Sequence, residues 1–366
     1  MGKMKAVRKL KREKGANLVE IEIPTIKSDE VLIKVLSTSI CGTDVHIYKW
    51  DNWSENRIKN IPQTLGHEVC GEVVEVGSAV KKIKVGDYIS AETHIPCKKC
   101  INCLTGNEHI CTNGQILGVD RDGVFAEYAV IPESVAWVND RSIPPEIASV
   151  QEPLGNATYA VLGEDNNIYG KRVAIFGDGP TALFAVGVAK LAGASKIFHI
   201  GVFDFNMGIG KKMGADYSLK ATENMDRVQF IKDNTDGYGA DIVVEMAGAK
   251  QAVIEGLDSL KKGGRFSAFG ITSEQKLEID YNNQIVFKGI QIHGISGRRM
   301  FDTWLRLKNM LASKKLDIRP VITNLFALED FEKGFEEMMK IPRVSAKIVL
   351  FPDKKLLNER LKEFKK

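Results

Sequence analysis

Four of the six cysteines in this chain stand close together in a short polar segment. They are Cys97, Cys100, Cys103 and Cys111, with the spacing Cys-x2-Cys-x2-Cys-x7-Cys in a loop rich in Lys and Asn. Four thiolates at this spacing can close a tetrahedron around Zn²⁺, and a closed shell leaves no position for substrate, so we predict a structural zinc site. An iron–sulfur cluster is the competing assignment. Four free thiols are disfavoured because free cysteines are usually buried and this loop has few apolar residues.

A second group of residues combines three different metal-binding side chains. Cys41 stands in Cys41-Gly42-Thr43-Asp44-Val45-His46, and Gly66-His67-Glu68 follows about 25 residues later. A thiolate, an imidazole and a carboxylate would form an open zinc shell, with Glu152 as a candidate fourth ligand. Taken singly, a histidine is more often a core or surface residue, and a Glu before Pro more often belongs to a turn. Their order beside the four-Cys loop favours the metal site.

An open zinc site of this kind predicts oxidation of an alcohol. Zinc lowers the pKa of an alcohol hydroxyl, and a nicotinamide ring can accept hydride from the alcohol carbon. The released proton needs a route, and Thr43 and His46 are placed to carry it from a hydroxyl to an imidazole. A surface histidine is the alternative interpretation of His46.

A glycine-rich segment predicts the nucleotide site. Gly177-Asp178-Gly179-Pro180-Thr181-Ala182 follows a predicted strand and opens a predicted helix. Gly177 and Gly179 serve the tight turn and the close approach of a pyrophosphate, and Ala182 is the third small residue of the fingerprint. Because strand and helix stand on the correct sides, a dinucleotide site is favoured over a plain turn, with Pro180 and Thr181 among its contacts.

The selector between NAD and NADP is missing from its usual place. An NAD site expects Asp or Glu at the end of the second strand, where this chain has Gly201. An NADP site would prefer an Arg nearby, and none follows until Arg227. Asp204 could reach the ribose by a displaced turn, although a helix N-cap is its alternative interpretation. These residues alone leave the choice between NAD and NADP open, and NADP is not excluded.

The surrounding elements indicate two domains in an α/β chain of 366 residues. From residue 5 to 138, short β-type runs broken by Gly, Pro, Asn and Asp predict an antiparallel, barrel-like domain. After Pro153, alternating strand-like and helical runs predict a doubly wound parallel sheet. Elements beyond Gly297 are too few for a third domain and are expected to return to the first. The predicted domains are 1–155 with 298–366, and 156–297.

Composition and charge restrict the expected partners. The net charge of +4 collects only in the tail 353–366, which we interpret as a solvated terminal helix or frayed end rather than a nucleic-acid arm. No stretch approaches the ~18 apolar residues needed to span a bilayer, and no apolar segment follows the basic N-terminus. We expect a cytoplasmic protein with a small-molecule alcohol or amino-acid substrate and neither nucleic acid nor membrane as a partner.

These motifs resemble the zinc-dependent medium-chain alcohol dehydrogenases, and within them the branch that oxidises threonine. The resemblance covers nearly the whole chain, from residue 5 to about 352, and includes Glu92-Thr93-His94, Gln151-Glu152-Pro153 and Gly294-Ile295-Ser296-Gly297-Arg298. It implies a GroES-like antiparallel β-barrel catalytic domain joined to a Rossmann domain. It also implies oxidation of the threonine C3 hydroxyl to 2-amino-3-oxobutanoate with NAD⁺, by a homotetramer that holds two Zn²⁺ ions per chain.

The resemblance assigns roles by motif position. The implied catalytic zinc shell is Cys41, His67, Glu68 and Glu152, the implied relay is Thr43 and His46, His94 lies in the substrate pocket, and Arg298 lies near the pyrophosphate. The chain departs from the family at Gly201 and Asn206, where an acidic residue and an Arg are usual.

Three functional hypotheses remain. The favoured one is oxidation of threonine. The second is a polyol or vicinal-diol dehydrogenase, because the zinc and hydride chemistry are the same and only pocket contacts differ. The third is a nucleotide-binding protein that has lost catalysis, which the intact set of candidate zinc ligands disfavours.

Overall fold

A computed structural model of the chain describes residues 2–164, 167–272 and 276–364. Its internal contacts divide the chain into two compact units. The first unit comprises Met1–Glu152, Ile322–Ile341 and Lys347–Lys366, and the second comprises Pro153–Val321 and Pro342–Ala346.

The strands are given in chain order. They are β1 (Lys3–Lys9), β2 (Asn17–Glu22), β3 (Glu30–Ile40), β4 (Gln63–Thr64), β5 (Glu68–Val76), β6 (Tyr88–Ala91), β7 (His94–Ile95), β8 (Gln115–Ile116), β9 (Tyr128–Pro132), β10 (Ala136–Val138), β11 (Arg172–Phe176), β12 (Lys196–Gly201), β13 (Tyr217–Lys220), β14 (Ala240–Glu245), β15 (Leu260–Ala268), β16 (Gln291–Gly294), β17 (Ile322–Ala327) and β18 (Lys347–Phe351).

The α-helices follow the same order. They are α1 (Gly42–Lys49), α2 (Asn52–Arg57), α3 (Ile101–Leu104), α4 (Pro145–Ser149), α5 (Gln151–Leu162), α6 (Pro180–Leu191), α7 (Asp204–Met213), α8 (Arg227–Asp233), α9 (Lys250–Ser259), α10 (Asp302–Ala312), α11 (Phe331–Met339) and α12 (Lys354–Phe364). In the described part of the chain, no helix has both the length and the apolar content that crossing a bilayer requires.

The first unit is built around the long strand β3. Its main sheet has the order β10-β6-β5-β3-β18-β17, and β9 also pairs with β3. All its pairs are antiparallel except β17 with β18. The register sets Glu68 opposite Ser39, and Ile348 opposite Ile40, so the starts of β5 and β18 flank the end of β3. This confirms the antiparallel, GroES-like unit.

The second unit is a parallel sheet with helices between its strands. Its order is β13-β12-β11-β14-β15-β16, and every pair is parallel. The strands are apolar and buried along their lengths, as expected for a sheet covered on both faces. β11 lies at the centre, next to the point where the strand order reverses, which is where doubly wound sheets bind nucleotides. The predicted Rossmann fold is confirmed.

The return of the chain to the first unit begins later than the sequence indicated. The predicted boundary assigned 298–366 to the first domain, whereas the structure keeps residues up to Val321 in the second unit. The reason is packing, because Arg298 donates a hydrogen bond to the Asn156 side chain at 2.8 Å, and Trp304 and Leu307 are fully buried. From Ile322 onwards, β17 and β18 do join the first sheet.

The basic tail forms the terminal helix α12, and its last two lysines, Lys365 and Lys366, lie outside the described residues.

Candidate functional site

Cys41 stands at the N-terminal cap of α1, directly after β3. The buried Asp44 carboxylate accepts the backbone N–H of Cys41 at 2.9 Å and that of Gly66 at 3.2 Å. It also lies 3.5 Å from Nδ1 of His67. Asp44 therefore fixes both segments that carry candidate metal ligands. The sequence analysis quoted Asp44 within the motif but gave it no role, although an acidic residue three positions after a helix cap is a capping signal.

Three of the predicted ligands come together. The donor atoms of Cys41, His67 and Glu68 all lie within 4.8 Å of one another. His67 and Glu68 are buried. A thiolate, an imidazole and a carboxylate at these separations match the donor types and the size of a zinc shell, so the residues fit the metal that their sequence pattern predicted.

The electrostatics of this cluster are those of an anionic pocket. Burial by itself would lower the pKa of His67, but the neighbouring Asp44 carboxylate and Cys41 thiolate raise it well above its usual value. Burial raises the pKa of Glu68, and the nearby Glu152 adds to this rise, while Lys347 opposes it. A divalent cation is the natural counter-charge for several acids held together away from water.

Glu152 is buried beside this group but is not one of the three whose donor atoms converge. Its side chain is 4% exposed, and it acts electrostatically on Glu68. Its predicted place in the zinc shell stays a prediction.

Lys347 is a buried partner of this cluster that the sequence did not reveal. Its ammonium lies 2.7 Å from the Glu68 carboxylate and donates to the Ile40 carbonyl at 3.1 Å. The Ser39 hydroxyl also donates to Glu68. Nothing in the local sequence around Lys347 signals this role, because the contact depends on β18 pairing with β3.

The predicted relay residues lie on the first turns of α1. The Thr43 hydroxyl is 3.9 Å from Sγ of Cys41. His46, one helical turn later, is exposed, and its Nδ1 contacts the Asp51 carboxylate. The two side chains therefore run from the cysteine outwards to solvent. The relay itself stays a prediction.

His94 is partly buried on the short strand β7. Its Nδ1 lies 3.2 Å from the fully buried Glu92 carboxylate, which also accepts the His94 backbone N–H at 2.9 Å. The ring is therefore held in place by its neighbour two residues earlier. Its role as a substrate-pocket residue stays a prediction.

The four-Cys lobe forms a second cluster of candidate metal ligands. The Sγ atoms of Cys97, Cys100, Cys103 and Cys111 all lie within 4.8 Å of one another. Backbone N–H groups of Cys103 and Thr112 lower the pKa of Cys100 to about 6, which favours the thiolate that zinc binds. A closed set of four sulfurs fits a structural zinc ion.

The glycine-rich turn has the shape that a pyrophosphate requires. Gly177 has φ +125°, and a Cβ there would lie 3.0 Å from the Met246 carbonyl carbon. At Gly179, the cap of α6, a Cβ would meet nothing within 4 Å, so the helix N-terminus is open to a ligand. Pro180 is the first residue of α6, followed by Thr181. An open, glycine-capped helix N-terminus suits an anionic phosphate group.

Two further predicted cofactor residues have other neighbours in the structure. Gly201 ends β12 and faces the side chain of Asp178. Arg298 is fully buried and bonded to Asn156. The buried His199, which the sequence analysis missed, places Nε2 2.9 Å from the Gly177 carbonyl and so supports the glycine turn.

Two family models match the chain. Residues 27–140 match the alcohol dehydrogenase GroES-like domain, and residues 180–313 match the zinc-binding dehydrogenase domain.

Curated relatives cover almost the full length. An L-threonine 3-dehydrogenase of Caldanaerobacter subterraneus is 49% identical over 96% of this chain and 99% of its own. An enzyme of the same name from Thermococcus kodakarensis is 46% identical over 96% of this chain and 99% of its own. The one from Pyrococcus furiosus is 48% identical over 92% of this chain and 95% of its own.

Solved structures with the same fold are more distant in sequence. A 2R,3R-butanediol dehydrogenase of Bacillus subtilis has a TM-score of 0.85 at 27% identity and covers 96% of this chain and 100% of its own. A zinc-binding dehydrogenase of Sinorhizobium meliloti bound to NADP has a TM-score of 0.85 at 28% identity, with the same coverage.

Proposed function

The chain belongs to the zinc-binding, GroES-like alcohol dehydrogenase family, and from this membership we propose that it oxidises the C3 hydroxyl of L-threonine to 2-amino-3-oxobutanoate, with hydride transfer to NAD(P)⁺. The observation that carries the proposal is the 46–49% identity to enzymes of that name over nearly their whole length. The converging donor atoms of Cys41, His67 and Glu68 support it.

The proposed roles of the residues are consistent with their positions. Cys41, His67 and Glu68, with Glu152 as the proposed fourth ligand, would hold a zinc ion that would supply Lewis acidity towards the substrate hydroxyl, and a nicotinamide cofactor would accept the hydride from C3. Asp44 holds Cys41 and His67 in place, and Lys347 balances the charge of Glu68.

The hydroxyl proton must leave the pocket in the same reaction. We assign its transfer to the Thr43 hydroxyl and then to the His46 imidazole, whose exposed ring passes it to solvent. His94 is proposed as a substrate contact, held by Glu92.

A diol dehydrogenase is the second candidate, because a butanediol dehydrogenase shares the fold. Steady-state assays with L-threonine, 2,3-butanediol and sorbitol, each with NAD⁺ and NADP⁺, separate the two. The proposal expects kcat/KM for threonine to exceed the other values by at least about tenfold, since pocket contacts to the amino and carboxylate groups are available only to that substrate. Absence of threonine turnover with both cofactors would rule the proposal out.

We propose a cytoplasmic homotetramer. Ile101 and Leu104 on α3 are 68% and 71% exposed, and Ile292 on β16, the last strand of the described sheet, is 48% exposed. Exposed apolar residues and an open sheet edge are features of subunit interfaces. Light scattering should give four times the chain mass of 40.5 kDa. Leu104→Lys and Ile292→Lys should each lower that mass.

A further inference from the structure

Asp178, the second residue of the glycine-rich turn, reaches across to the end of the neighbouring strand β12. Its Oδ2 accepts the backbone N–H of Val202 at 2.8 Å and of Phe203 at 2.7 Å. A Cβ built on Gly201 would lie 2.8 Å from the Asp178 Cβ and 3.1 Å from its Oδ2. The Asp178 side chain thus fills the space that a side chain at position 201 would occupy.

That space has a defined chemical role in a doubly wound nucleotide domain. The end of the second strand is where an acidic side chain accepts hydrogen bonds from the adenosine ribose of NAD. Gly201 has no side chain, but Asp178 brings a carboxylate to the same place from the turn after β11. Within the described residues, the hydrogen bonds to this carboxylate all go to Oδ2, which leaves Oδ1 for a ligand.

The turn that carries Asp178 is fixed by a second contact. The buried Asn206 donates from Nδ2 to the Asp178 carbonyl at 2.7 Å. Gly201 and Asn206 are the two departures from the family pattern, and both contact Asp178. The two departures are therefore linked. Gly201 leaves room for the Asp178 carboxylate, and Asn206 holds the Asp178 backbone.

We propose that Asp178 is the residue that selects NAD over NADP, by accepting a hydrogen bond from the ribose 2′-hydroxyl and by repelling a 2′-phosphate. The proposal rests on the proposed function only in requiring a nicotinamide dinucleotide in this unit. The cofactor-selecting carboxylate would then lie in the glycine-rich turn, at Asp178, and not at the end of β12, where the chain has Gly201.

The nearby charges define the competing outcome. The Arg343 guanidinium lies 5.7 Å from the centre of the Phe203 ring and could meet a phosphate. Asp204, the other carboxylate in this region, is 81% exposed and has both oxygens 2.8 Å from the Lys220 ammonium. Asp178 is the carboxylate held by two backbone N–H groups, so its position is the better defined of the two.

The test measures binding of the reduced cofactors to the purified protein by nicotinamide fluorescence, without substrate. We expect wild type to bind NADH at least about tenfold more tightly than NADPH. Asp178→Asn keeps an oxygen that can accept from Val202 and Phe203 but removes the charge, and should reduce the NADH:NADPH preference by about tenfold or more. The matched control Asp204→Asn should change the preference less than about twofold.

Moving the carboxylate from position 178 to position 201 gives an independent test. Gly201→Asp alone should weaken both cofactors, because its Cβ meets Asp178. The double variant Asp178→Ala/Gly201→Asp returns the carboxylate to the strand end and should restore the NADH preference.

The outcomes separate this inference from the proposed function. A wild-type preference for NADPH, or an unchanged preference in Asp178→Asn, overturns the role of Asp178 and leaves threonine oxidation standing. Absence of binding of both cofactors to wild type overturns both.

Discussion

The ammonium of Lys347 lies 2.7 Å from the Glu68 carboxylate, and the two side chains are only 2% and 0% exposed. They are 279 positions apart in the chain and meet because β5 and β18 both pair with the end of β3. Burial would lower the pKa of Lys347, but Glu68 and the nearby Cys41 raise it, so the lysine stays charged. The positive charge of Lys347 offsets the electrostatic repulsion between Glu68 and the nearby Glu152.

We predict that Lys347→Met destabilises the protein strongly. The substitution breaks the buried ion pair with Glu68 and leaves the metal ion as the counter-charge of that carboxylate, and breaking a buried pair typically costs about 3–5 kcal/mol. The thermal unfolding midpoint should fall by roughly 5–15 °C. Lys347→Arg keeps the charge and should lower the unfolding midpoint less. The double variant Lys347→Met/Glu68→Gln should have a higher midpoint than Lys347→Met alone. A midpoint for Lys347→Met equal to that of wild type would show that the pair does not stabilise the fold.

The Thr43 hydroxyl can be tested separately from zinc binding. Thr43→Ala removes the group that we propose as the first acceptor of the substrate proton, and should lower kcat by about 100-fold or more while leaving the zinc content unchanged. Thr43→Ser retains the hydroxyl and should keep most of the activity. The measurements are steady-state kinetics and metal analysis on the same preparation. If the Ala and Ser variants lost equal activity, a steric role would explain Thr43 better than proton transfer.

The proposed second relay residue is tested by removing its imidazole. His46 contacts Asp51, and although burial alone would raise the pKa of Asp51, its hydrogen bond to His46 helps to lower it. His46→Gln removes the imidazole, so kcat should fall, and imidazole added to the assay should restore part of the lost rate. His109→Gln, in the four-Cys lobe, is the control and should keep kcat near that of wild type. An unchanged kcat in His46→Gln contradicts the assignment.

Asp241 on β14 should make the stability of the second unit depend on acid pH. It accepts from the Arg172 backbone N–H at 2.8 Å and from Arg172 Nε at 2.9 Å, and pairs with Lys261. Burial by itself would raise its pKa, but these partners lower the pKa from 3.8 to about 2. Because the folded pKa is the lower one, the stabilisation is complete above about pH 4 and is lost as the pH falls towards 2.

Asp241→Asn should therefore cost about 1–2 kcal/mol of unfolding free energy near pH 7, after allowance for screening by solvent. Urea unfolding of both proteins at a series of pH values measures the difference. It should shrink steadily below about pH 4. A constant difference for Asp241→Asn down to pH 2 would contradict the pairing.

The sequence predicted the elements that have a strong local signal. The predicted strand before the glycine-rich turn is β11, Arg172–Phe176, and the predicted helix after it is α6, which begins at Pro180. By contrast, β13 has a weak local signal. β13 has only four residues, Tyr217–Lys220, and lies at the edge of the sheet, so it carries little periodicity for a sequence to reveal.

In the candidate site, too, the features with a local sequence signal were predicted and those that depend on the fold were not. The two cysteine motifs predicted both clusters of metal-binding residues, because donor type and spacing are local properties. The partners of those residues could not be predicted in the same way. Lys347 reaches Glu68 only through strand pairing, and Asp178 reaches the end of β12 only through the parallel sheet. The Arg343 side chain near Phe203 could not be predicted for the same reason, because the two residues are far apart in the chain.

The two zinc sites should respond differently to loss of one ligand. Cys41→Ala removes the thiolate of the open cluster, and should lower the zinc content from two ions to one and abolish activity, because the remaining His67 and Glu68 cannot hold the ion in a working geometry. Cys100→Ser opens the four-Cys cluster and should also lower the zinc content by one. Its main effect should be on stability, since a closed shell of four sulfurs offers no position to substrate.

Cys70, which is buried on β5 and belongs to neither cluster, supplies the matched control. Cys70→Ala should keep two zinc ions and most of the activity. Zinc analysis, thermal unfolding and threonine assays on the three variants give distinct patterns. Full activity in Cys41→Ala, or in wild type stripped of metal by a chelator, would show that the reaction does not depend on a metal ion at the Cys41 cluster.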